Sequence, residues 1–135
     1  MEEILSFIKQ NSIGYLATLE SLQPRVRAFG FGFYEEGKFW FCTSNLKKVY
    51  AQLKANPYAE IMFSKPDFSQ YLRLSGHVVF DDGIDSKKRV MDAMPGVAGL
   101  YQSPENPIFE VFYLENGVAV LEVFPPLSPA KEVKF

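Results

Sequence analysis

The sequence predicts a mainly β fold, an antiparallel barrel with peripheral helices, and three observations carry that expectation. The chain has 135 residues, near the roughly 100–150 typical of one domain, and its 47% hydrophobic and 22% charged content excludes disorder. About seven short segments of period two are separated by turn signals at close intervals. Aromatic residues are abundant (13 Phe, 7 Tyr and 1 Trp), and many of them fall on alternating strand positions.

The elements follow in order. Glu2–Gln10 carries Ile4, Phe7 and Ile8 at helical spacing, and Asn11 followed by Gly14 stops it. From Ile13 the period becomes two, so Ile13–Glu20 is a strand and Ser21-Leu22-Gln23-Pro24 is its turn. Arg25–Tyr34 alternates as a single strand, with Phe29, Phe31 and Phe33 on one face and Val26, Ala28, Gly30 and Gly32 on the other. Glu35-Glu36-Gly37 makes a hairpin turn into Lys38–Thr43. Leu46, Val49, Tyr50 and Leu53 give a helix over Leu46–Ala55, which Ser44 or Asn45 can cap and Asn56-Pro57 ends.

Strands Tyr58–Ser64 and Tyr71–Phe80 follow, then a helix over Ile84–Met94 closed by Pro95-Gly96. Residues 97–107 read as loop with at most one helical turn. Ile108–Leu114 and Val118–Phe124 are strands joined by a hairpin at Glu115-Asn116-Gly117. Pro125, Pro126 and Pro129 make 125–135 a tail too proline-rich to continue a sheet. The whole chain, 1–135, reads as a single domain.

Composition narrows function. A net charge of −2 argues against a duplex-nucleic-acid binder. No apolar run approaches the roughly 20 residues of a membrane span, and the acidic start Met-Glu-Glu gives no sign of export. The lone Cys42 fits a reducing cytoplasm, and with a single histidine, His77, it leaves no His/Cys zinc set. Cys42 reads as a packed thiol, His77 as structural, and Asp81, Asp82 and Asp85 as turn and cap residues.

The informative stretch is 39–48, where a strand runs into a helix start containing Thr43, Ser44 and Asn45. Unpaired N–H groups there favour an anion, which would offset the misplaced positive charges of Lys47 and Lys48; plain capping with solvated lysines is the other reading. Arg25 and Arg27 open the strand expected to pair with 38–43 and could fork onto a phosphate; alone, each would be a solvated strand end. Gly30 and Gly32 mark either barrel curvature or close approach of the backbone to a planar ligand.

Pro24-Arg-Val-Arg27, Gly37-Lys-Phe-Trp-Phe-Cys-Thr-Ser44, Lys47-Lys-Val-Tyr-Ala-Gln-Leu-Lys-Ala-Asn-Pro57 and Leu72-Arg-Leu-Ser-Gly76 resemble the pyridoxamine 5′-phosphate oxidase-like, FMN-binding split-barrel superfamily. The resemblance covers residues 1–124 and is closest to the short oxidase-related, nitroimidazole-reductase-like proteins. It implies a split β-barrel of six to seven strands with two or three helices. It also implies FMN as cofactor and a homodimer with FMN at the subunit interface.

By the same resemblance Arg27 matches the phosphate-binding arginine, Thr43 the threonine ending the next strand, and Lys48 the helix lysine, with Lys47 as stand-in. The backbone of Ala28 and Phe29 would run along the isoalloxazine, and Tyr71 falls near a glutamine of the oxidase. The expected cofactor set is thus Arg25, Arg27, Ala28, Phe29, Thr43, Ser44, Lys47, Lys48 and Tyr71, with no catalytic side chain nominated. Gly32 stands where the oxidase has a substrate-binding lysine, and the C-terminal Arg-x-His motif is absent. The expected activity is therefore a cytoplasmic, FMN-dependent reductase of small molecules rather than a pyridoxamine phosphate oxidase. A flavin-binding or haem-handling module and an oligomerising barrel without ligand are the alternatives.

Overall fold

The computed structural model describes residues 1–135. Helix α1 (Glu2–Gln10) buries Ile4, Phe7 and Ile8, with Glu2 and Glu3 in its first turn and Lys9 in its last, the charge order its dipole favours. Strand β1 (Ile13–Glu20) alternates strictly, with Gly14, Leu16 and Thr18 facing inward. It pairs in antiparallel register with β2 (Gln23–Gly30), from Glu20 opposite Gln23 to Ile13 opposite Gly30.

The strand expected over 25–34 is broken. Phe31 N–H still donates to Ser12 O on the β1 side, but Gly32 N–H donates to Trp40 O, both at 3.0 Å. The chain thereby crosses to β3 (Phe33–Glu35), which pairs with β4 (Lys38–Ser44). A Cβ on Gly32 would lie 2.7 Å from the Trp40 carbonyl oxygen, so the glycine serves a close approach of two backbones. The crossing also resets the alternation. Phe29 and Phe31 pack in the main core, whereas Phe33 stacks on Trp40 on the opposite side, centroids 5.5 Å apart.

After α2 (Lys48–Ala55) come β5 (Tyr58–Ser64), β6 (Gln70–Asp81), α3 (Ile84–Ala93), α4 (Pro95–Tyr101), β7 (Phe109–Val123) and β8 (Lys131–Lys134). The fold is mainly β and antiparallel: eight strands in the order β2-β1-β5-β6-β7-β4-β3, with β8 on β7, and four helices against them. Residues 95–101 form a helix of seven residues, longer than the single turn expected within 97–107 and starting at the Pro95-Gly96 expected only to close α3, because Pro95 stops α3 and also suits a helix first turn. No helix is long and apolar enough to cross a membrane.

The expected hairpin at 115–117 does not form. Both halves of β7 pair with β6, and the register slips from Ser75 opposite Val118 to His77 opposite Glu115, one extra residue on β7. Asn116, at φ 51°, supplies the left-handed conformation for this bulge rather than for a turn. The prolines of 125–129 interrupt the sheet only briefly, since Lys131–Lys134 returns along Leu121–Val118 as β8.

The larger core contains 19 buried residues, including Phe29, Phe39, Phe41, Phe63 and Phe112, and is covered by α1 and α2. A smaller one of 6 residues, Trp40, Val90, Met91, Tyr101, Phe109 and Val111, lies under α3 and α4.

Candidate functional site

β2 has a single neighbour, β1, and the expected pairing of Arg25–Tyr34 with 38–43 survives only in the short β3 segment. The reason is that β7 occupies one edge of β4 from Phe39 to Ser44, while β3 reaches only Lys38–Trp40 on the other. Residues 41–44 of β4 therefore face the C-terminal half of β2 across a split with no ladder bonds between them. Since Phe31 N–H points at β1, antiparallel alternation turns the backbone groups of Gly30, Ala28 and Val26 toward the split.

A cavity of about 160 Å³ opens in this split. Ala28, Phe29 and Gly30 form one wall, Cys42, Thr43 and Lys47 a second, and Met94, Val97, Leu100 and Tyr101 a third. Thr43 is 3% exposed and its Oγ1 has no hydrogen-bond partner, an orphan of the kind folded proteins seldom leave without a reason. Cys42 Sγ lies 4.0 Å from Met94 Sδ, and burial pushes its thiol up to about 11, so it stays protonated and unreactive near neutral pH.

Arg27 reaches from β2 across β1 to α2. Its Nη1 donates to Leu16 O (3.2 Å) and Thr18 Oγ1 (2.7 Å), and its Nη2 to Gln52 Oε1 (2.6 Å). Those bonds take both Nη1 hydrogens and one on Nη2, leaving Nε–H and the second Nη2 hydrogen without a protein acceptor. Every partner is neutral and no carboxylate pairs with the guanidinium, whose pKa burial pushes below its ordinary value. A half-buried cation with an idle donor edge has the chemistry to receive an anion.

Arg25 is not part of that receptor. It turns to the rim, donating to Glu20 Oε1 at 3.1 Å, and this bond together with one from Gln52 holds the Glu20 carboxyl below its usual range.

The start of α2 adds to the positive potential. Neither expected cap forms: Ser44 Oγ accepts from Leu46 N–H at 3.2 Å, and Asn45 Nδ2 is drawn away to Pro107 O (2.8 Å) and Glu110 Oε1 (3.0 Å). The helix begins only at Lys48, with Lys47 in the cap position, no side-chain cap and no acid in the first turn. Lys47 lines the cavity, and Lys48 precedes Gln52 by one turn on the same helix face; neither forms an ion pair.

Of the expected set, Ala28, Phe29, Thr43 and Lys47 line the cavity, whereas Arg27 lies outside that lining, bonded to Gln52, and Lys48 borders a separate recess with Glu20 and Gln52. Ser44 is buried but engaged with the loop before α2. Tyr71 is not brought in: it pairs with Ser64 and Glu122 at the start of β6, the end remote from Asp81, whose neighbour Val111 follows Thr43's partner Glu110. Gln52, Thr18 and the α4 wall escaped sequence reasoning. For Gln52 there was a signal, a polar residue on the apolar face formed by Val49 and Leu53.

Outside the split the sheet is apolar as well. Ile13, Tyr15 and Val26 are exposed on the outer face of β1 and β2, beside Gly30, Ala28 and Ala17 in the ladder.

Residues 1–116 match the family model described as pyridoxamine 5′-phosphate oxidase. A NimC/NimA family protein from Clostridium acetobutylicum has a similar structure, with TM-score 0.85 and 34% identity over 98% of this chain and 93% of that one. A pyridoxamine 5′-phosphate oxidase-related, FMN-binding protein from Nostoc punctiforme shares the fold at TM-score 0.62 and 16% identity, covering 99% of this chain and 96% of that one. So does a heme-binding protein from Mycobacterium smegmatis, at TM-score 0.72 and 18% identity over 98% of this chain and 57% of that one. No functionally curated protein matches the chain in sequence.

Proposed function

The chain belongs to the pyridoxamine 5′-phosphate oxidase family, and on that footing we propose that it binds FMN in the split between β2 and β4 and acts as a cytoplasmic, flavin-dependent reductase of small molecules. The observation that carries this is Arg27, a half-buried guanidinium with an idle donor edge and no carboxylate, bonded to Gln52 one turn into the uncapped helix α2. That edge, the open N–H groups of α2, Lys48 and Lys47 hold the phosphate. Thr43 Oγ1 gains the partner it lacks, and the outward-turned backbone around Ala28 and Phe29 runs beside the flavin ring. The bound flavin supplies the hydride or electron transfer, while the protein orients it and limits access.

A second copy of the chain covers the apolar face of β1 and β2 and completes the site; Tyr71 reaches the flavin only from such a copy. Gly32 supports reduction over pyridoxamine phosphate oxidation, because no cation projects from that position and the Trp40 carbonyl leaves no space for one. The resemblance to nitroimidazole-reductase-like proteins and the 34% identical NimC/NimA family structure point the same way.

FMN titration followed by flavin fluorescence tests the site. Arg27→Ala removes two charge-assisted bonds of about 1.5–3 kcal/mol each, so affinity should fall about 100-fold or more, and Lys48→Ala should lower it less. Wild-type protein that ignores FMN would sink the proposal. Anaerobic NADH or NADPH then separates a reductase, in which the flavin bleaches, from a carrier, in which it does not.

A further inference from the structure

We infer that Gln52 is a positioning residue that sets Arg27 for anion recognition, and that Glu20 sets Gln52; the inference rests on the reading that Arg27 holds the flavin phosphate. Gln52 is 6% exposed on a helix face otherwise apolar, where a polar amide needs all its bonds. Its Oε1 accepts from Thr18 Oγ1 and from Arg27 Nη2, each at 2.6 Å, and its Nε2 donates to Glu20 Oε2 at 3.0 Å.

These partners fix the amide one way round. Flipped, Nε2 would meet the Arg27 donor and Oε1 would meet the Glu20 carboxylate, two repulsive contacts in place of two favourable ones. Thr18 closes the ring, accepting from Arg27 Nη1 at 2.7 Å while donating to Gln52. The end of the guanidinium is held by three neutral oxygens, of Leu16, Thr18 and Gln52, so its charge is undiminished and its Nε/Nη2 edge is the one left over. A carboxylate at position 52 would satisfy the same donors but neutralise the receptor. An amide orients it and leaves it cationic. Glu20, at the rim with Arg25, anchors the far end of the relay without touching Arg27.

The test measures FMN and riboflavin affinities of the full chain by fluorescence quenching, because riboflavin lacks the phosphate. Gln52→Leu should weaken FMN binding about ten-fold and leave riboflavin within about two-fold. Gln52→Glu should weaken FMN binding further, with the ratio to wild type recovering at acid pH as the introduced carboxylate protonates. Reading the FMN-to-riboflavin ratio removes any general loss of folded protein.

Glu20→Ala, at an exposed position, keeps the question open to test if the buried variants do not fold. By charge alone, deleting a carboxylate near an anion site raises FMN affinity; by positioning, freeing the Gln52 amide lowers it about two- to five-fold. A rise, or equal changes for both flavins, overturns the role of Gln52 while leaving FMN binding intact. Wild-type protein that binds FMN no better than riboflavin overturns both readings together.

Discussion

Thr43→Val has opposite expected effects on the empty and the flavin-bound protein, which makes it the sharpest probe of the split. Thr43 is 3% exposed on β4, and its Oγ1 makes no hydrogen bond. A buried hydroxyl without a partner costs about 1–3 kcal/mol in mutational data. Valine has nearly the same shape, is at home in a strand, and deletes the hydroxyl without opening a cavity. The flavin-free variant should be more stable by ~1–2 kcal/mol, a rise in Tm of about 3–6 °C for a chain of this size. If the flavin is the missing partner, the same change removes one neutral hydrogen bond from the complex. FMN affinity should then fall about three- to ten-fold. Thermal melts of stripped protein and an FMN titration read the two halves separately. A flavin-free variant no more stable than wild type, or one that binds FMN equally well, refutes the reasoning.

Two other outcomes follow from the structure. Val26→Asp places a charge on the exposed outer face of β2, where the side chain is 68% exposed in one chain, so the fold should survive while, on the proposed reading, sedimentation shows monomer and FMN affinity drops with it; a variant that stays dimeric would contradict the proposed interface. Cys42 is an acid whose pKa burial raises, from 9.0 unfolded to about 11, so its contribution is fully present below pH 9 and is lost as pH climbs toward 11, by about 2–3 kcal/mol. The difference in stability between wild type and Cys42→Ala in urea melts should be constant below pH 9 and change only across that window.

Much of the fold was legible because period reports faces directly. Ile4, Phe7 and Ile8 announced α1, and the change of period at Ile13 with the turn residues Ser21–Pro24 announced β1, whose strict alternation is one of burial alone. Period does not report neighbours, so Arg25 and Arg27 were placed beside 38–43 when the ladder joins them to Thr18 and Leu16. Nor does local conformation report its use: Asn116 supplies a positive φ, which serves a bulge as well as a hairpin. For the site, charge was readable and connectivity was not. Arg27 and Lys48 stood out, but that Arg25 belongs to Glu20, and that Asn45 leaves the helix uncapped by reaching Glu110, depends on contacts across the chain.

The two exposed features of the N-terminal hairpin are then one problem with one solution. β2 is an edge strand, and edges with free N–H and C=O groups invite uncontrolled pairing unless blunted by proline or charge. Its entry is blunted by Pro24 and Arg25, but the backbone groups that Val26, Ala28 and Gly30 turn toward β4 are left bare, since Arg27 is drawn inward to Thr18 and Gln52. The same residues lie in a sheet that is apolar outside, at Ile13, Tyr15 and Val26, as well as inside, at Leu16 and Phe29. A sheet open along an edge and apolar on both faces is incomplete in isolation. On the proposed reading a flavin occupies the edge and a second copy the face, and the two meet at Ala28, which stands opposite Tyr15. Each occupant shields surface the other leaves bare, so flavin affinity should rise with the fraction of dimer, and dimer affinity with flavin, by the same factor.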